Sequence, residues 1–175
     1  MIWHSPIKLK LIPSADSLSF KAMKTGEAAL PLPPHPGAFG FRRQHHIHEG
    51  VDLYCPEGTA VHAVESGEVV AVIPFTGAKA GSDWWQETDA VLVEGASGVV
   101  VYGEISPIVA LSQQVAAGDV LGHVKTVLKE DKGRPMSMLH LELHDHGARD
   151  ALEWPVNGDR PKTLKDPTPY LMGKR

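Results

Sequence analysis

The sequence predicts an all-β domain built from antiparallel sheets. Three observations carry that prediction. First, 17 Gly and 14 Pro among 175 residues divide the chain into short apolar runs separated by turn signals. Second, no segment sustains a long, capped 3.6-residue period, so helices should be short and few. Third, Met138–His144 (MLHLELH) alternates strictly. Leu139, Leu141 and Leu143 share one face; Met138, His140, Glu142 and His144 share the other.

The elements follow in chain order. Residues 1–38 read as an N-terminal extension and Pro-rich connector. Within them Lys8–Ile12 alternates weakly, as one strand, and Pro31–Gly37 (PLPPHPG) is extended. Residues 39–175 form the main domain, with no repeat of fixed period. Val51–Tyr54 is a strand before the Pro56-Glu57-Gly58 turn, and Ala60–Val64 is a strand before Glu65-Ser66-Gly67. Glu68–Ile73 ends at Pro74, Ala90–Val93 ends at Gly95, and Val99–Tyr102 ends at Gly103. Val120–Val124 follows the Ala117-Gly118-Asp119 turn. Thr76–Thr88 is a polar insertion holding Trp84-Trp85, where one Trp is expected to pin the loop to the body.

Composition excludes several classes of function. The net charge is −4, so there is no basic field for nucleic acid. No run approaches the roughly 18 apolar residues of a membrane span. A single cysteine, Cys55, forms no internal disulfide framework. The first 20 residues lack the apolar core of an export signal. The expected location is therefore cytoplasmic, with a periplasmic or cell-wall location as the alternative.

The chemistry concentrates in two places. In His48-Glu49-Gly50-Val51-Asp52 the first and last residues would lie about 13 Å apart on a regular strand. A bend at Glu49-Gly50, which Gly50 permits, would bring them together. An imidazole and a carboxylate suit Zn²⁺. On Met138–His144, the polar row of His140, Glu142 and His144 suits either a site or a solvent face. His62 and His123 fall inside apolar strand patterns and read as structural. His45 and His46 read as solvated loop.

Together these segments resemble the LytM and lysostaphin-like zinc endopeptidases of peptidase family M23, which cut cross-bridge peptides of peptidoglycan. The family's first motif is similar to His48-Glu-Gly-Val-Asp52, followed by Gly58-Thr59, Val61, Ala63 and Gly67-Glu-Val69. Val115 to Gly122 fits a later family stretch. Met138-Leu-His140-Leu-Glu142 stands where the family has HLHFE, and Asp166 to Leu171 is similar to its ending. The resemblance covers roughly residues 39–171. It implies one Zn²⁺ per chain held by His48, Asp52 and His140, an open fourth position for water, and a peptide or peptidoglycan substrate. The run Val61–Val69 with Gly118–Gly122 is also similar to the barrel-sandwich hybrid of lipoyl and biotinyl carriers. That likeness supports the fold but not a carrier function, because no modifiable Lys sits in a hairpin turn.

Two positions depart from the family pattern. Met138 and Glu104 stand where the family carries its two assisting histidines. Glu104 therefore has two readings. As general base it makes the protein a peptidase with atypical catalytic residues. As a fourth ligand or outer carboxylate it makes the protein a catalytically degenerate zinc-containing binding or scaffold domain. Glu142 is placed to orient an imidazole, and His144 reads as a groove or outer-sphere residue.

Overall fold

Strand-forming Val, Ile, Leu and Thr, interrupted by glycine turns, fold as eleven strands, one turn of 3-10 helix (Ala78–Ala80) and one short α-helix among the described residues. The computed structural model describes residues 3–19 and 23–173. β1 (Lys10–Ser14) and β2 (Glu27–Pro31) form a two-stranded parallel sheet. The remaining strands are β3 (Val51–Tyr54), β4 (Ala60–His62), β5 (Gly67–Thr76), β6 (Thr88–Gly95), β7 (Gly98–Pro107), β8 (Gln114–Val115), β9 (Val120–Val124), β10 (Met138–His144) and β11 (Leu164–Lys165). All pair antiparallel in one nine-stranded sheet. Helix α1 (Thr168–Leu171) follows. No helix among the described residues is long and apolar enough to cross a membrane.

The predicted all-β, antiparallel class is the observed one, apart from the parallel pair β1–β2. β10 is the pivot of the sheet: it pairs with β7 on one side and with β3 and β11 on the other. Leu139, Leu141 and Leu143 are fully buried, in one core with Val51, Leu53, Val100 and Tyr102. Trp3, Ile7, Ala28 and Leu30 belong to the same core, so the described part of the extension packs into the main domain. A smaller cluster of Ala71, Ala90, Leu92, Val99 and Val101 fills the opposite face of β5, β6 and β7.

Two strands run past their expected ends, and both overruns matter for the site. β5 continues through Pro74 to Thr76, with a register shift between Pro74 and Thr76. A proline is tolerated at such an irregularity because no ladder hydrogen bond is asked of it. This places Phe75 beside the site described below. β7 continues through Gly103 to Pro107. Its partners in β6 pass from Val91↔Tyr102 to Asp89↔Ile105, so β7 carries one extra residue there. The extra residue is a β-bulge, and Glu104 within it has φ 65°. A non-glycine residue in this region bears a cost on the order of 1–2 kcal/mol, and bulges re-aim side chains beside sites.

The leucine face of β10 holds the sheet through burial. Leu141→Ala should therefore destabilise the protein by about 2–5 kcal/mol in urea unfolding, in the range for a fully buried leucine.

Candidate metal centre

His48 is held on a narrow hairpin at residues 40–48. Its N–H donates to the Phe41 carbonyl at 2.9 Å, and its own carbonyl accepts from Gly40 N–H at 2.9 Å. His48 Nδ1–H donates to the Ala38 carbonyl at 2.9 Å, which turns Nε2 inward. Asp52 is the second residue of β3, and its N–H donates to the Gly37 carbonyl at 2.9 Å. The connector ahead of residue 39 thus supplies main-chain acceptors to both residues.

The chain bends at Gly50 as expected, and glycine is needed there for close approach. A Cβ at this position would meet the Leu141 carbonyl oxygen at 2.4 Å and His140 Nε2 at 3.0 Å. On the other side of His140 lies Gly103 of β7, its direct cross-strand partner. A Cβ on Gly103 would strike the Phe75 ring at 2.5 Å, and that ring lies 5.3 Å from the His140 ring. Two glycines and a phenyl ring therefore shape the slot for one imidazole.

The three side chains converge. His48 Nε2 lies 3.1 Å from Asp52 Oδ1 and 3.2 Å from His140 Nδ1, and His140 Nδ1 lies 2.9 Å from Asp52 Oδ1. All three residues are buried, and they form a set able to hold a metal ion. Burial keeps the His48 pKa below its ordinary value despite the nearby Asp52 charge. With Nδ1–H committed to Ala38, Nε2 presents a lone pair to the Asp52 lone pair. The His140 Nδ1–H is the donor between them.

His140 is proton-rich for a clear reason. Burial alone would lower its pKa, but hydrogen bonds to Asp52 and Glu142 hold it well above the ordinary imidazole value. Burial opposes the Asp52 carboxylate, yet His48 and Arg43 hold its pKa well below the ordinary range. His140 Nε2–H donates to Glu142 Oε1 at 2.9 Å, and Glu142 Oε2 accepts from His144 Nε2 at 2.7 Å. His144 Nδ1 in turn contacts Thr163 Oγ1 at 3.1 Å. These imidazoles outweigh burial and take the Glu142 pKa down to about 2.

Of the two readings of His144, groove or outer-sphere residue, the structure removes the first: His144 is fully buried and bonds to Glu142 behind His140. The return of the chain to β11, with Asp145 N–H donating to the Thr163 carbonyl, covers that end of β10. Met138 is half-buried at the open end of the strand, opposite Tyr54. Glu104 is buried, and its Oε2 has no hydrogen-bond partner. Burial and the Asp52 charge push its pKa up to about 8, against the pull of His140 and Arg43. It is not one of the three residues whose ligand atoms cluster.

The remaining singled-out residues lie elsewhere. His62 Nδ1 bonds to the Gly118 carbonyl at 2.8 Å, and His123 is exposed on β9. His46 is half-buried, 3.8 Å from Glu49, and His45 is exposed. The Trp85 backbone bridges to Leu128 and its side chain is half-buried, while Trp84 is 64% exposed, so the loop is tied down at Trp85 through the main chain. Two site residues had no sequence signal. Phe75 lay beyond an expected strand end. Arg43, whose Nη2 sits 2.6 Å from Asp52 Oδ2, was hidden in a His-rich run.

Comparison with known proteins identifies the family and the fold. The sequence model of peptidase family M23 matches residues 46–151, more than half of the chain, and the protein belongs to that family. Three solved structures share the fold. The catalytic domain of the antimicrobial peptidase lysostaphin from Staphylococcus simulans superposes with a TM-score of 0.51 at 20% identity, covering 78% of this chain and 89% of that one. The catalytic domain of EnpA, a prophage-encoded M23 protein from Enterococcus faecalis (crystallised as a point mutant), gives 0.50 at 23%, covering 69% and 86%. A Pseudomonas aeruginosa chain assigned to peptidase M23 gives 0.50 at 17%; the match covers 99% of this chain and 52%, about half, of that one. No curated protein matches the sequence.

The Glu104 environment has a measurable consequence. Its folded pKa of about 8 exceeds the ordinary 4.5, so across that interval the folded state holds the extra proton. Stability then falls as pH rises through the interval. His140 contributes in the same direction above its ordinary value, so the comparison must be with a variant. In chelator-treated protein, Glu104→Gln should flatten the decline seen by urea unfolding between about pH 4.5 and pH 8. Equal slopes for the two proteins would mean that Glu104 is ionised or solvated in the fold.

Proposed function

We propose that this protein is a zinc-dependent endopeptidase acting on peptidoglycan cross-bridge peptides. His48, Asp52 and His140 are the protein ligands for one zinc, and Glu104 is the acid–base group. The observation that carries this reading is the facing pair of lone pairs, His48 Nε2 and Asp52 Oδ1 at 3.1 Å, with His140 Nδ1 completing the triangle. The His140 Nδ1–H bridges these two acceptors in the metal-free chain, and a cation bound there would take the place of that proton. The three separations, 2.9–3.2 Å, approach the ~3.3 Å edge of a tetrahedron whose ligands lie at about 2.0–2.1 Å from zinc. Two imidazoles and one carboxylate are also a donor set that zinc accepts.

When bound, zinc supplies Lewis acidity that polarises the scissile carbonyl and acidifies water. The chain's own residues do the rest. Glu142 fixes the His140 ring, with His144 and Thr163 behind it, as carboxylates do for metal-bound imidazoles. Glu104, aimed by the bulge of β7, takes the proton from the attacking water and returns it to the departing amine. A dication held beside it favours its ionised form. The peptidoglycan assignment rests on membership of the family and on the shared fold with lysostaphin, an antimicrobial peptidase.

A second reading is a zinc-bearing binding domain without hydrolysis. Met138 favours it, since a thioether donates no hydrogen bond. Zinc content and cleavage of purified peptidoglycan or a mixed peptide library separate the readings. The wild type should carry about one equivalent of zinc and cleave. Glu104→Gln should keep zinc and lose at least about 10²-fold in rate, the ordinary worth of an acid–base group. His140→Ala should lose most of the metal. Full metal in His140→Ala would refute the ligand set, and zinc without any wild-type cleavage would establish the binding domain.

A further inference from the structure

The two oxygens of Asp52 are divided between different partners. Oδ1 faces the imidazoles of His48 and His140, at 3.1 and 2.9 Å. Oδ2 accepts from Arg43 Nη2 at 2.6 Å. The same Nη2 donates to the Pro36 carbonyl at 3.2 Å, so one guanidinium ties the Pro-rich connector to the metal-facing carboxylate.

Arg43 reaches this position through its backbone. Its N–H donates to the His46 carbonyl at 2.9 Å, on the same hairpin that presents His48. A shift of this hairpin would therefore move a ligand and the Arg43 clamp together. The Arg43 side chain is 30% exposed and the Asp52 side chain 4%. The guanidinium thus closes the solvent side of a buried carboxylate.

From this division we infer that Arg43 is a positioning residue that restricts Asp52 to binding metal through Oδ1 alone. The inference rests on the zinc reading above. A carboxylate is able to bind a metal through one oxygen or through both. A strong charge-assisted bond on Oδ2 removes the second option. One-oxygen binding leaves three protein donors and an open position, as a catalytic zinc site requires. Two-oxygen binding would raise the coordination number. Simple charge repulsion makes a contrary forecast: removing a cation beside a dication should tighten metal binding and leave the coordination alone.

Cobalt(II) distinguishes the two, because four-coordinate cobalt absorbs visible light more strongly than five-coordinate cobalt. The test uses the full chain, loaded with cobalt after chelator treatment. Affinity is read by competition with a chromophoric chelator, and folding by circular dichroism. Arg43→Met and Arg43→Ala are both made, so that one misfolded variant does not decide the question. The expected result is an intense wild-type spectrum, a weaker one in these variants, and metal affinity lowered about 10–100-fold, the usual effect of losing a partner of a metal ligand. Arg43→Lys should restore much of the wild-type spectrum. Unchanged spectra in folded variants, with affinity equal or tighter, would overturn the role of Arg43 while leaving the metal site standing. A wild type that binds no cobalt or zinc would instead overturn the zinc reading itself.

Discussion

The site depends on one buried carboxylate. An ionised Asp52 costs heavily to remove from water unless it is paired and hydrogen-bonded. Its surroundings supply that compensation on both oxygens: the His140 N–H on Oδ1 and the Arg43 guanidinium on Oδ2. The Gly37 carbonyl fixes its main chain at the same time. In the metal-free protein the local charges balance. Asp52 and Glu142 are negative, Arg43 is positive, and His140 carries the extra proton that its two carboxylate neighbours hold. A divalent ion entering this set must displace that proton, so metal affinity and pH are coupled through the geometry itself.

The sheet converts this electrostatic requirement into a position. β10 lies between β3 and β7, so it brings His140 opposite both Asp52 and Gly103. The alternation of β10 sends its leucines into the core. The same alternation aligns His140, Glu142 and His144 as a buried relay. Glycine at positions 50 and 103 is required because neither site has room for a Cβ. Moving β10 by one residue would exchange the relay with the core face, so packing and site share one register.

Legibility followed the range of the interactions. The period-2 pattern of residues 138–144 and the turn-bounded runs at 51–54 and 120–124 identified three strands with their observed bounds. Those signals are local, and so is the His48-to-Asp52 spacing. The parallel pairing of β1 with β2, and the burial of the extension, depend on contacts far apart in sequence. Pro74 and Gly103 read as strand ends because each ordinarily weakens a ladder; here irregularities in the pairing absorb them. The burial of His144 was illegible for a related reason. Its cover, residues 145–165, carries little regular structure and no periodic pattern. Arg43 looked like one more polar residue in a His-rich loop until the hairpin placed it on Asp52.

The same geometry bears on how the site differs from the family pattern that the sequence resembles. By that resemblance, Met138 and Glu104 stand where the family carries two imidazoles, groups that titrate near neutrality unaided. A carboxyl group does not, and burial alone would leave Glu104 protonated over much of the physiological range. The bulge of β7 holds it where the charges of Asp52, His140 and Arg43 all reach it. On the zinc reading proposed above, its protonation would follow the charge of the site, since the proton on His140 and a bound dication would be alternatives. Backbone strain at φ 65° is the kind of cost that persists only where surrounding structure enforces it. Here the enforcing structure is the ladder that also positions His140. The unpartnered Oε2 and the strained backbone of Glu104 both belong to the bulge of β7, which holds a buried carboxyl group within reach of the Asp52, His140 and Arg43 charges; on the zinc reading proposed above, its acidity would depend on whether the site is filled.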